Sequence, residues 1–303
     1  MILEDIDKFS KSIHGNLKFD YELKNLNWFN IGGKTKIFFK PEDLKELREF
    51  LKLYNQRGKI FLLGAGSNVL FSDDTFDGVV IKLGKRFSNI SLLNDTTIIA
   101  GCSVLDKKLS MFSVDNNISG LEFLSCIPGT VGGGIRMNAG CYGTEFKDIT
   151  HSVQAIDFKG NILTFPSNKI EFKYRGSNLP KDLIFLSATF KGILEDKIFI
   201  QERVNKFKET KEISQPSKIK TSGSTFKNPE NDLNLKVWEL IKKSVPKDIK
   251  FGDASISNHH SNFFVNNQNA KSKDMLKLIN YVKTEVKKKF NIDLELELSL
   301  IHI

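Results

Sequence analysis

An α+β fold is what this sequence predicts, and three observations predict it. Strand-like and helix-like stretches both occur on either side of a composition change near residue 192. Hydrophobic residues make up 40% of the 303 residues and charged residues 27%, enough apolar material for a buried core. At roughly 100–150 residues per domain, the length allows two or three domains.

The elements follow in order. Residues 41–57 (PEDLKELREFLKLYNQR) predict a helix: Pro41 suits a first turn, Leu44, Leu47, Leu51 and Tyr54 form one stripe, and Gly58 stops it. IFLL (60–63) is a short buried strand that runs into a glycine turn, and VVIKL (79–83) is another strand. Residues 104–117 predict a helix, followed by a glycine-dense stretch at 127–143. Strands at 153–158 and 162–165 are joined by Gly160–Asn161, a strong hairpin signal, and 184–190 is one more strand. The charged pattern 198–213 predicts a helical connector. Beyond it come a Ser/Thr/Gly loop (214–225), a helix (232–243), a strand (262–265), a long helix (271–289) and a final strand (293–301).

The formal charge is +9, but only six of the 45 basic residues are Arg, and the lysines are spread among Glu and Asp in helical stretches. That spread argues against a nucleic-acid face, which would cluster its cations, and suits a small polyanionic ligand. The three cysteines, Cys102, Cys126 and Cys141, form no C-x-x-C pair, so neither a disulfide framework nor a metal site is expected. The adjacent His259 and His260 lack the i, i+4 spacing of helical metal ligands. The first residues include early acids and no apolar h-region, and no apolar run approaches the roughly 18 residues that span a bilayer. A cytoplasmic chain without membrane insertion is expected.

Two phosphate motifs fail on spacing. GAGSNV (64–69) starts like a dinucleotide fingerprint but has Val69 at the sixth position, and GGKT (32–35) has Trp28 where a P-loop needs Gly. What remains is the strand-to-turn at 64–68 and a second loop, IPGTVGGG (127–134). Six glycines (129, 132, 133, 134, 140 and 143) fall within 15 residues there. Each loop alone reads as a tight turn; together they read as a cradle whose small residues let backbone amides approach a diphosphate from two sides.

LGAGSNVL (63–70) followed by SGLEFLSCIPGTVGGGIRMNAGCYG (119–143) resembles the FAD cradle of the UDP-N-acetylenolpyruvoylglucosamine reductase family, shared with vanillyl-alcohol-oxidase-type flavoproteins. The resemblance continues in order through KYRGS (173–177), SGSTFKNP (222–229), GDASISNHHSNFFVN (252–266) and LELELSLI (294–301). The short segment after Arg175 resembles the family's second type, which lacks an inserted tyrosine-bearing loop. Asn30 stands where the family carries a basic residue, and Cys126 where it carries a glycine.

The resemblance implies a two-part FAD-binding domain at 27–195, with subdomains of about 27–85 and 86–195, after an N-terminal segment (1–26). A C-terminal α+β substrate-binding domain follows at 196–303. It implies non-covalent FAD, NADPH as co-substrate, a UDP-amino-sugar enolpyruvyl ether as substrate, and a monomer. Cofactor contacts are expected from Gly64, Ala65, Gly66, Ser67, Asn68, Val69, Gly129, Thr130, Gly132, Gly133, Asn138 and Ala139, and substrate contacts from Lys227 and Asn228. Lys218 and Lys220 are further candidates for the diphosphate.

Three residues carry the implied chemistry. Arg175, whose planar guanidinium stays charged, would stabilise an enolate. Ser224 would donate a proton, although by composition alone a serine in such a loop is a turn residue. Glu297 lies on the polar side of an alternating strand, where the bland reading of both Glu295 and Glu297 is a solvated face; family register selects Glu297. Two alternatives stay open: an alcohol or sugar oxidase on the same cradle, and a basic nucleotide- or nucleic-acid-binding module.

Overall fold

The computed structural model describes residues 2–216, 219–229 and 234–301, with side chains from residue 4 onward. These residues form two compact units, both discontinuous in sequence. Unit 1 holds residues 1–20, 37–65 and 77–211; unit 2 holds 21–36, 66–76 and 212–303. The expected cut at 195/196 follows the chain, whereas the units are assembled from separate segments, with 196–211 in unit 1 and 21–36 and 66–76 in unit 2.

Unit 1 holds most of one sheet and all of another. In the first, strand Lys59–Leu62 pairs in parallel with Phe76–Ile81, and the order runs Asn16–Glu22, Lys34–Lys40, Phe76–Ile81, Lys59–Leu62. Helix Leu44–Tyr54 buries Leu47, Phe50 and Leu51 in this core, and the Phe39 and Phe50 rings lie 4.4 Å apart. Burying one such phenylalanine contributes about 3 kcal/mol. The helix begins later than Pro41 suggests because Asp43 is its cap, accepting from the Glu46 amide. It ends at Asn55, whose left-handed φ of 46° does the stopping expected of Gly58.

The second sheet is antiparallel, in the order Ile162–Pro166, Thr150–Asp157, Leu183–Lys191, Thr97–Gly101, Ile90–Asn94. Asp157 closes the Gly160–Asn161 hairpin by accepting from the Lys159 and Asn161 amides. The short helix Val131–Met137 packs on this core through Val131 and Ile135. Helix Lys197–Ser214 is more than a connector. Ile200 and Val204 are buried with Val114, and Arg203 pairs with both Glu122 and Glu195.

Unit 2 is built around helix Ser272–Phe290 and helix Val237–Ser244. They share a core with Phe29, Phe226, Phe264, Leu294 and Leu298. The helix expected at 232–243 starts only at Val237, and residues 230–233 lie outside the described residues. Strand Val69–Phe71 runs parallel to Ser299–Ile301. A three-stranded antiparallel sheet comprises Lys250–Phe251, Ala254–Ile256 and Phe264–Asn266. The final strand expected over 293–301 is regular only at Ser299–Ile301. Before it the Glu297 and Leu298 amides both reach the Thr225 carbonyl, which breaks the ladder.

Candidate functional site

The two glycine stretches meet inside unit 1. A Cβ built on Gly64 would lie 2.6 Å from Thr130 Oγ1, so the turn after strand Lys59–Leu62 packs directly against loop 127–134, and a larger residue there would force the Thr130 side chain to move. Lys82, at the end of the neighbouring strand, donates from Nζ to the Gly64 carbonyl at 2.5 Å. Burial, and then the neighbouring Lys40 charge, lower its pKa. Sequence reasoning passed over Lys82; its only signal was a lysine inside the apolar run 79–83.

Part of the second loop is already committed. The Val131 and Gly132 amides donate to the Val104 and Cys102 carbonyls, which anchors this end of loop 127–134 to the chain at 102–104. Beneath it sits Asp106, fully buried, with no hydrogen-bond partner for either carboxyl oxygen among the described residues. Burial raises its pKa well above the usual carboxylate value. A Cβ on Gly129 would meet Asp106 Oδ2 at 2.6 Å, so a larger residue there would push on the buried carboxyl.

Asn138, at the left-handed end of helix Val131–Met137 (φ 41°), has its side chain engaged within unit 1. Nδ2 donates to Glu145 Oε2 at 2.9 Å and to the Lys173 carbonyl at 3.1 Å, and Oδ1 accepts from the Lys147 amide. Ala139 follows, donating to the Gly134 carbonyl and accepting from the Phe146 amide.

Through Lys173, Asn138 is tied to the segment that carries Arg175. Phe172–Lys173 pairs with Gly176–Ser177, leaving Tyr174 and Arg175 as the hairpin's two turn residues. Arg175 has φ 56°, a left-handed conformation that costs an L-residue roughly 1–2 kcal/mol. Its guanidinium lies over the Tyr174 ring, 4.9 Å from the centroid, with one nitrogen 3.5 Å from the Gly140 carbonyl. Residues held in sparse backbone regions cluster at functional sites.

Unit 2 brings Ser224 and Glu297 onto adjoining segments. The segment 224–227 lies between two others. On one side Ser224 bridges Phe263; on the other Phe226 bridges Leu296. The Glu297 amide donates to the Thr225 carbonyl at 3.0 Å, and the Lys227 amide to the Glu295 carbonyl at 2.9 Å. Ser224 and Glu297 are both half-buried. Asn68 supports the Glu297 segment twice: Nδ2 donates to the Glu297 carbonyl at 3.0 Å, and its own carbonyl accepts from the Ser299 amide.

The rest of the turn 64–69 also belongs to unit 2 from Gly66 on. Gly66 has φ 71°, and its carbonyl accepts from the Trp28 amide. Ser67 is half-buried and Val69 buried, the Val69 carbonyl accepting from Ser222 Oγ. Lys227 pairs with Glu295 at 3.3 Å. Asn228 Oδ1 accepts from the Val237 amide, the first of helix Val237–Ser244. Asn30, also left-handed at φ 57°, donates to the Lys24 carbonyl and Asn25 Oδ1. Lys220 Nζ donates to the Gln268 carbonyl, and Lys218 lies outside the described residues. All three cysteines are free thiols, and no cluster of three His, Cys, Asp or Glu that could hold a metal ion occurs among the described residues. No described helix is long and apolar enough to cross a membrane.

Comparison with known proteins covers both parts of the chain. Residues 35–166 match the "FAD binding domain" family, and residues 215–301 match "UDP-N-acetylenolpyruvoylglucosamine reductase, C-terminal domain". The UDP-N-acetylenolpyruvoylglucosamine reductase of Pelagibacter ubique (strain HTCC1062) is 57% identical over 99% of this chain and 100% of its own length. That of Rickettsia typhi (strain ATCC VR-144 / Wilmington) is 47% identical over 95% of this chain and 97% of its own. The crystal structure of the reductase from Thermus caldophilus superimposes with a TM-score of 0.81 at 28% identity, covering 95% of this chain and 99% of that one. The fold is therefore the reductase fold, an FAD-binding domain followed by the family's C-terminal domain, and the chain belongs to the UDP-N-acetylenolpyruvoylglucosamine reductase family.

Proposed function

We propose that this protein reduces UDP-N-acetylglucosamine enolpyruvate to UDP-N-acetylmuramate for peptidoglycan precursor synthesis, using NADPH and non-covalently bound FAD, as a cytoplasmic monomer. The observation that carries this reading is the hydrogen-bonded pairing of the Ser224 segment with the Glu297 segment in a chain 57% identical to a named reductase. The residues present suit a dinucleotide. Gly64 and Thr130 approach closely where two small-residue loops meet, and the Lys82 ammonium adds positive charge there. Gly64 to Val69, Gly129, Thr130, Gly132, Gly133, Asn138 and Ala139 are the residues we assign to that cradle. The functional division is 27–195 for the cofactor and 196–303 for the substrate.

Bound FAD supplies the hydride, received from NADPH, because no protein side chain can donate one. Arg175 offers a planar, permanently charged fork to the substrate carboxylate and to the enolate that forms as the double bond is reduced. Ser224 delivers the proton that quenches the enolate. A hydroxyl is a weak acid, so its delivery depends on close placement at the carbon. Glu297 sets the charge balance beside Ser224. Lys227 and Asn228, in the same loop, meet the UDP-sugar.

The test is direct. The purified protein should be yellow, should release its flavin on denaturation, and should oxidise NADPH in proportion to added enolpyruvyl UDP-sugar. A colourless protein, or NADPH consumption that ignores the sugar, would end the proposal.

A further inference from the structure

We propose that Asn262 is a positioning residue for Ser224, which it aims by holding a kink in the backbone immediately after it; this rests on the role proposed above for Ser224. In a regular strand successive amides point to opposite sides. Here two consecutive amides point the same way: Thr225 N–H donates to the Asn262 carbonyl at 2.8 Å, and Phe226 N–H donates to Asn262 Oδ1 at 3.0 Å. The Thr225 carbonyl, meanwhile, faces the opposite segment, where it accepts from Glu297 and Leu298. Thr225 is thus the pivot of a bulge. Bulges of this kind re-aim a neighbouring side chain, and the residue before the pivot is Ser224.

A bulge creates a supply problem. Two adjacent buried amides need two acceptors, and a straight partner strand presents one. Asn262 supplies both, its own carbonyl and its side-chain oxygen. Its Nδ2 then donates to the Phe226 carbonyl at 2.8 Å, so both polar groups of a residue 1% exposed are satisfied by one carboxamide. Asn262 itself is 2% exposed, and its amide donates to Nδ1 of His260, which helps to fix the carboxamide's own backbone. An aliphatic side chain would keep only the backbone carbonyl for Thr225 and leave both polar groups of Phe226 unserved. Aspartate keeps the acceptor but loses the donor.

The experiment separates aiming from mere folding. Asn262→Ala should slow reduction of the enolpyruvyl sugar by pre-reduced enzyme about tenfold or more while leaving flavin reduction by NADPH unchanged. Asn262→Asp should fall between Ala and wild type. In a Ser224→Ala background, Asn262→Ala should add no further loss, because the interaction it serves is already gone. On the flavin-free protein, hydrogen exchange at residues 224–226 should accelerate in Asn262→Ala without matching acceleration in helix Ser272–Phe290. Equal loss in both half-reactions, additive losses in the double variant, or uniform acceleration of exchange would overturn the positioning role. If wild type fails to reduce the sugar at all, the proposed function falls instead. The exchange pattern then decides whether Asn262 holds the kink.

Discussion

Arg175 and Ser224 are held in opposite ways. Arg175 sits at the tip of a two-residue turn in unit 1, in a left-handed backbone conformation, with a 3.5 Å contact to the Gly140 carbonyl. Ser224 sits in unit 2 on a segment bracketed by hydrogen bonds on both sides, from Asn262 and from the Glu295–Leu298 stretch. The difference follows from the chemistry proposed for each. Transfer of a proton falls off steeply with misplacement, so the donor needs a fixed backbone. Stabilising charge through a long guanidinium depends less on the exact backbone position, because the side chain itself spans the distance to the charge.

The comparison breaks first at Ser224. Ser224→Ala removes the hydroxyl without touching a backbone bond of its segment. We expect the sugar-reducing half-reaction to fall about 10²–10⁴-fold, with flavin reduction by NADPH preserved. Stopped-flow measurement of the two halves checks this; equal losses would remove the proton-donor role. Arg175→Lys keeps the charge and the left-handed backbone but loses the planar fork. A drop in kcat of about 10²–10³-fold is expected, with little change in thermal stability. A lysine variant of normal kcat would show that a point charge suffices.

Asn138 tests the hairpin's anchor. Removing its carboxamide leaves the Lys173 carbonyl and the Lys147 amide without their partner, at a cost of about 2 kcal/mol in urea unfolding. Asn138→Ala should also lower kcat, because the Asn138 carboxamide joins the end of helix Val131–Met137 to Lys173, two residues before Arg175. Unchanged kcat with lowered stability would show that the turn alone positions the arginine.

How far the sequence reveals this depends on distance along the chain. Helix Leu44–Tyr54 and the Gly160–Asn161 hairpin were legible because their signals are local: an apolar stripe, a turn dipeptide. The pairing of segment 224–227 with 295–298 was not, since nothing in either stretch names its partner. The irregular backbone there is why 293–301 reads as one strand but is regular only at its end. Asparagines show the same limit in a consistent way. Asn138 and Asn228 read as ligand contacts, and the structure adds a second job for each carboxamide, one clamping Lys173 and the other capping helix Val237–Ser244. Asn262 drew no notice within its motif. Buried asparagine is chemically suited to both jobs, and only tertiary structure says which it does. The left-handed φ of Arg175 was hidden too, because Gly176 beside it is the residue a turn would be expected to use.

That strain supplies the smallest and sharpest comparison. At φ 56°, alanine carries the same steric penalty as arginine, whereas glycine carries none. Glycine also gives the unfolded chain more freedom, which offsets part of the gain. The net expectation is that Arg175→Gly is more stable than Arg175→Ala by about 0.5–1 kcal/mol in denaturant unfolding, while both lack the guanidinium and are equally impaired in turnover. No strand of the Ser224 segment should show this ordering, since Ser224 is not among the residues of positive φ. At position 224 glycine should be the less stable of the two. If alanine proves the more stable at 175 as well, the turn is not strained there. The arginine would then need no functional reason to occupy a position where backbone geometry alone would select glycine.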